Sequence, residues 1–161
     1  MIKYIKDVNI LPILEFYSKI ESNIVWSDYA PKGKQTGLQY YGLEDPWTSA
    51  VGPSRGSELE YNRLNPFFKD TIFEEIIKEY NLKRTRLMWV YPFACYSMHS
   101  DTTPRIHIPL ITDPDCYFVF KTGTVQHLEV GSSYWVDTRL LHTFINCSSE
   151  IKRLHLVGVV R

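Results

Sequence analysis

From Thr85 to Val160 the chain alternates short apolar stretches with turn residues and leaves no room for a helix between them. Strands are expected at Thr85–Tyr91, Arg105–Ile111, Tyr117–Lys121, Val125–Glu129, Ser133–Val136, Leu141–Asn146 and Arg153–Val160, with Gly123, Gly131 and "NCSSE" marking turns between several of them. Parallel strands need crossovers of a dozen or more residues, usually helical, so a doubly wound sheet is excluded. An antiparallel sandwich or barrel remains.

The N-terminal half reads differently. Ile13, Phe16, Tyr17 and Ile20 recur at helical spacing, which predicts a short amphipathic helix over residues 12–21. A second helix is expected from Asn65-Pro66, an N-cap followed by proline, through the stripe of Ile72, Phe73, Ile76, Ile77 and Tyr80, ending at Asn81. Residues 27–63 are polar, aromatic and punctuated by Gly and Pro. They read as loops, with one short strand at Leu38–Tyr41. The fold class is therefore mainly β with flanking N-terminal helices. One domain spans 1–161, with a helical and loop part over about 1–82 and a β core over about 83–161.

Composition narrows the function classes. Apolar residues make up 44% of the 161, enough for a packed core. Lys+Arg and Asp+Glu both number 18, so no basic field recruits nucleic acid. Cys95, Cys116 and Cys147 are odd in number and form no CxxC, which suits a reducing compartment better than a disulfide framework. No apolar run is long enough to span a bilayer, and the first residues lack a continuous apolar leader. A cytoplasmic protein with no membrane partner is expected, of unknown oligomeric state.

The chemistry lies in "MHSDTTPRIHIPL", Met98 to Leu110. Charge on a buried strand costs several kcal/mol unless it finds a partner. By alternation Arg105 and His107 share one face of their strand, while Ile106, Ile108 and Leu110 share the other. Arg153 and His155 repeat the pattern against Leu154 and Leu156. Two strands thus give one face a cationic lining, suited to an anionic ligand. His99-x-Asp101 with a later His142 is the two-histidine, one-carboxylate set that suits non-haem Fe(II), because it leaves open positions on the metal.

Each residue also has an ordinary reading. His99 can cap or sit on the surface, Asp101 can open a turn before "TTP", His142 can be a core histidine, and Arg153 can pair with Glu150. His107 and His155 divide evenly between supporting a site and filling structure. His127 and Cys95 read as structural, and Trp135 and Phe144 as core.

Together the residues resemble a known family. "WVYPF", His99, "RIHIPL", "GSSYWVDTRLLHTFIN" with His142, and Arg153 resemble the Fe(II)/2-oxoglutarate-dependent dioxygenases, in particular the aspartyl/asparaginyl β-hydroxylase-like branch, over Arg86 to Val160. The resemblance implies a double-stranded β-helix, a cupin-like jelly roll. It implies iron ligation by His99 and His142, with Asp101 completing the triad as in proline-hydroxylating members. Arg153 would bind the distal carboxylate of 2-oxoglutarate, Arg105 and His107 would contact the co-substrate near the metal, and Asp137, where the family also has Asp, would support the site from behind or hold a turn; His155 is a further candidate for such support.

Two departures matter. The vertebrate aspartyl enzymes carry a non-ligating residue where Asp101 stands, and Met88 occupies a position that holds a serine there. The implied activity is hydroxylation of an amino acid or amino-acid side chain with Fe(II), 2-oxoglutarate and O2, releasing succinate and CO2. The substrate would be a small molecule or a peptidyl residue. The alternatives are a non-catalytic jelly-roll module that binds an anion through Arg105 and Arg153, and a cupin that uses another metal.

Overall fold

The structure is a computed structural model that describes residues 1–28 and 33–161; of the expected loop segment 27–63, only residues 29–32 lie outside the described residues. In chain order the elements are β1 (Ile2–Asp7), α1 (Leu11–Ile20), β2 (Ser27–Asp28), β3 (Gly33–Gly37), β4 (Gln39–Tyr40), β5 (Arg63–Leu64), α2 (Ile72–Glu79), β6 (Lys83–Val90) and β7 (Ala94–Cys95). They continue with β8 (Arg105–Ile111), β9 (Cys116–Phe120), β10 (Val125–Gln126), β11 (Ser132–Val136), β12 (His142–Asn146) and β13 (Arg153–Val159). No helix among the described residues is long and apolar enough to cross a membrane.

The strands form a seven-stranded sheet in the order β1-β11-β8-β13-β6-β3-β2 and a four-stranded sheet in the order β10-β9-β12-β7, with β4 and β5 as a separate pair. Every pairing among the described residues is antiparallel. The large sheet separates two environments, as the alternation requires. Leu87, Ile106, Ile108, Leu154 and Leu156 join Ile13, Tyr17, Phe73, Ile76 and Ile77 of the two helices in one core. The opposite face turns Arg105, His107 and Arg153 towards the small sheet. There Phe118, Phe120 and Phe144 pack with Val90, Tyr134 and Val136.

The second helix starts later than expected. Asn65 does accept from the Phe67 amide (3.1 Å), but it caps only a single 3-10 turn, Pro66–Phe68. Lys69 is extended and Asp70 takes φ +58°, which breaks the run before α2 begins at Ile72. Packing sets the break: Phe68 is fully buried, edge-on to Phe73 and beside Trp47. The C-terminus is as expected, with Asn81 at φ +51° and the Leu82 amide donating back to the Ile77 carbonyl.

In β6 the register against β13 slips between Val157 and Val159, and Arg84 takes φ +49°. Such a bulge re-aims a side chain; here Arg84 turns into the cavity between the sheets.

Candidate metal centre and its cavity

A cavity of about 460 Å³ lies on the polar face of the large sheet. His99, Asp101 and His142 stand together on its wall, one ligating atom of each within 4.8 Å of the others. Backbone pairing fixes the two histidines: the His99 amide donates to the His142 carbonyl (2.9 Å) and the His142 amide to the His99 carbonyl (2.8 Å). The Asp101 amide donates to the Thr138 carbonyl (2.8 Å), which pins the intervening loop to the turn before β12.

The imidazoles are set in one tautomer. Nδ1 of His99 lies 2.7 Å from the Ser97 carbonyl oxygen, and Nδ1 of His142 lies 2.9 Å from that of Leu140. A carbonyl only accepts, so Nδ1 carries the proton and Nε2 presents its lone pair. Burial outweighs the Leu140 hydrogen bond, pushes the His142 imidazolium below its usual range and favours the neutral, ligating form. Phe118 stacks on the His142 ring at 5.6 Å between centroids. Two neutral imidazoles and a carboxylate with their free donors converging form a donor set that fits a first-row divalent ion.

Asp101 is oriented from behind. Nε of Arg105 donates to its Oδ2 (3.1 Å), and Nη2 of Arg105 lies 3.0 Å from Oδ1. Burial would raise the Asp101 carboxyl, but the Arg105 hydrogen bond and charge outweigh it and hold the carboxyl below its ordinary value. Nη2 of Arg105 also donates to Oε1 of Glu58 (2.8 Å). Glu58 takes Arg84 on the same oxygen, and Thr102 (2.9 Å) and Thr103 on the other. Burial works against its charge, yet Arg105 and the two threonines bring the Glu58 carboxyl down to about 2.

Two guanidiniums on the cavity wall lack a carboxylate partner among the described residues. Arg153 is 2% exposed; its Nη2 lies 2.6 Å from Nδ1 of His155, its Cζ sits 3.2 Å above the Phe144 ring, and its Nε is unpartnered. Arg86 is 7% exposed; its Nη1 donates to Oε1 of Gln35 (3.1 Å), and its Nε is unpartnered. Burial pushes both down to about 9, in Arg86 with help from Arg84 and Arg105.

His107 lines the cavity with Nε2 unpartnered, and burial followed by the Arg153 charge holds it and His155 neutral. His155 stands behind Arg153 and does not line the cavity. Its Nδ1 accepts from Arg153, so a histidine supplies polarity beside Met88, its cross-strand partner.

The residues picked out by sequence are distributed as follows. His99, Asp101, His142, Arg105, His107 and Arg153 come together on one cavity, and Phe144 both packs in the core and underlies Arg153. Arg153 is buried, so a surface pairing with Glu150 does not form. Asp137 takes a fork of hydrogen bonds from Arg139 (2.7 and 3.1 Å), and His127 holds the Cys116 carbonyl through Nδ1 (2.8 Å).

Sequence reasoning missed Glu58, Arg84, Arg86 and Gln35. A period-2 reading of Lys83–Val90 puts Arg84 and Arg86 on one face with Met88, and that was the available signal. Glu58 and Gln35 had none.

No protein-family model and no curated protein matches the chain. Solved structures do. HygX from Streptomyces hygroscopicus with nickel, 2-oxoglutarate and hygromycin B bound has a TM-score of 0.57 at 10% identity, covering 99% of this chain and 83% of that one. Rhodobacter sphaeroides SigE in complex with the anti-sigma ChrR has a TM-score of 0.50 at 13% identity, covering 92% of this chain and 56% of that one. A cupin domain from Bordetella pertussis Tohama I has a TM-score of 0.42 at 18% identity over 48% of this chain and 79% of that one. The chain thus shares a β-rich fold with HygX, and it carries a two-histidine, one-carboxylate cluster.

Proposed function

We propose that the chain is an Fe(II)- and 2-oxoglutarate-dependent dioxygenase that hydroxylates an amino acid or an amino-acid side chain, and that its two facing sheets form the double-stranded β-helix of that superfamily. One observation carries the reading: His99, Asp101 and His142 converge with both Nδ1 atoms tied to carbonyls, beside a buried Arg153 that has no carboxylate partner among the described residues. The fold shared with HygX, whose structure holds nickel and 2-oxoglutarate, supports it.

Fe(II) held by the three residues would supply dioxygen activation, with 2-oxoglutarate leaving as succinate and CO2. The protein's own groups do the rest. Arg153 neutralises the distal carboxylate of the keto acid, and a buried charge-assisted pair is strong because water does not compete. His155 fixes the Arg153 guanidinium, and neutral His107 offers Nε2 to the co-substrate near the metal. Arg105 keeps Asp101 ionised and aimed. Phe118 and Phe144 form an apolar wall, with Phe120 packed in the core behind them.

The anion-binding module remains the second reading, favoured by the two uncompensated guanidiniums. Anaerobic titration of the apo-protein with Fe(II), followed by 2-oxoglutarate, separates the two. The oxygenase binds one Fe(II) per chain, binds 2-oxoglutarate more tightly with it, and forms succinate only in its presence. Carboxylate binding indifferent to metal would leave the module.

A further inference from the structure

The cavity wall carries four guanidiniums, Arg84, Arg86, Arg105 and Arg153, against two carboxylates, Glu58 and Asp101. Arg84 and Arg105 share those carboxylates, so the excess of two positive charges falls on Arg153 and Arg86. They occupy neighbouring strands but not neighbouring positions: Arg153 pairs with Val90, whereas Arg86 pairs with Val157. Four residues of strand separate them along the ladder, roughly 13 Å at about 3.3 Å per residue. The two carboxylates of a five-carbon keto acid lie only about 5 Å apart by ordinary bond lengths. Arg86 lies on the cavity wall beside Gln35, whereas Arg153 leans on Phe144 and His155.

Arg86 is built as a receptor. Gln35 takes Nη1 and fixes the guanidinium plane, which leaves the edge that carries the buried, unpartnered Nε for a ligand. That edge offers a carboxylate two parallel donors. We propose that Arg86, held by Gln35, is a second anion subsite and binds the carboxylate of the primary substrate, so that the substrate is a small free carboxylic acid. Because Arg86 is 7% exposed and the cavity holds about 460 Å³, the acid enters whole. This assignment rests on the reading that Arg153 takes the co-substrate, and its test is arranged so that the two can fail separately.

The test follows the Arg86 Nε–H resonance in ¹⁵N-arginine-labelled protein, without metal, during titration with acetate. Acetamide is the neutral control, and inorganic phosphate asks whether another anion serves better. The expected result is a saturable shift with acetate, none with acetamide and a weaker one with phosphate. N-oxalylglycine, added with Zn(II) to fill the co-substrate position, should leave the acetate response in place.

Arg86→Gln should weaken acetate roughly tenfold or more while changing N-oxalylglycine affinity little, and Arg86→Lys should retain part of the acetate response. Removing an unpaired buried charge does not threaten the fold, and thermal unfolding of both variants checks this. The subsite is overturned if acetate gives no saturable shift, if phosphate outcompetes it, if N-oxalylglycine displaces it, or if Arg86→Gln abolishes N-oxalylglycine binding. Failure of N-oxalylglycine to bind wild type at all counts against the oxygenase reading, while the metal-free acetate titration still decides the subsite.

Discussion

Replacing Glu58 with glutamine removes one charge from the centre of a buried chain of ions and keeps its shape. Glu58 is 5% exposed and accepts from Arg84, Arg105, Thr102 and Thr103. Its carboxyl stands at about 2 against an ordinary 4.5. A depressed folded-state value means the folded protein holds the charged form more favourably than the unfolded chain does. The stabilisation is complete above the unfolded value and is lost as pH falls through the folded one. The difference corresponds to about 3 kcal/mol at neutral pH.

That magnitude agrees with the cost of leaving the buried Arg84 guanidinium without a carboxylate, about 3–5 kcal/mol, while Arg105 keeps Asp101. Glu58→Gln is therefore expected to unfold about 3 kcal/mol more easily at pH 7, with Tm about 6–12 °C lower for a domain of this size. Denaturant unfolding of both proteins from pH 7 to pH 3 should show the gap narrowing below about pH 4.5. His107 and His155, held neutral by burial, also cost stability as pH falls below about 6.5, but equally in both proteins, so the difference isolates Glu58. A gap under about 1 kcal/mol at pH 7, or one that stays constant down to pH 3, would refute the reasoning.

Other perturbations read other parts of the cavity. Arg153→Ala should weaken 2-oxoglutarate by about 2–4 kcal/mol, tens- to hundreds-fold in a binding titration with metal present, and Arg153→Lys should recover part; an unchanged affinity would remove Arg153 from the co-substrate. Metal affinity should hold through neutral pH and decline on acidification as protons compete for the imidazoles, with His142 resisting because burial lowers its proton affinity. Affinity that does not respond to pH between about 8 and 5 would mean the histidines are not ligands. Asp101→Gly should lower iron affinity and turnover sharply while the apo-protein stays folded, with a lower Tm because the Arg105 fork is lost; near-native iron binding in that variant would leave the two histidines as the whole site.

The β core was legible because its strands bury one apolar face. Ile106, Ile108, Leu154 and Leu156 against Arg105, His107, Arg153 and His155 is a period-2 signal that only a two-environment sheet satisfies, and the structure reproduces it. The elements that were missed lack that signal. In β1 every residue after Ile2 is exposed, so pairing with β11 leaves no apolar trace. In β3, "GKQTG", the buried side chains are Gln35 and Thr36, and the strand is held by its ladder to β6. Its glycines answer to close approach: a Cβ on Gly37 would stand 2.8 Å from the Pro46 carbonyl oxygen. β7 is two residues long. At the site, the triad and Arg153 were legible by spacing, whereas Glu58 reaches Arg105 from 47 residues away and no local pattern announces it.

That long reach explains what the N-terminal part contributes to the candidate metal centre. Charges alternate through space as Arg84, Glu58, Arg105 and Asp101, and a divalent ion would extend the series by one more positive charge. Without Glu58, Arg105 would confront the metal across a single carboxylate, and its fork on both Asp101 oxygens would compete with coordination. With Glu58 drawing on Nη2, the guanidinium is neutralised from behind while still aiming Asp101, and each Asp101 oxygen keeps a second lone pair. The consequence is directional. Glu58→Gln should reduce metal affinity as well as stability, although Glu58 touches no ligand atom, because Arg105 then settles its whole charge on Asp101. The chain of ions, from the bulge at Arg84 to His142's neighbour Asp101, makes the folding of residues before β6 a condition for a competent site.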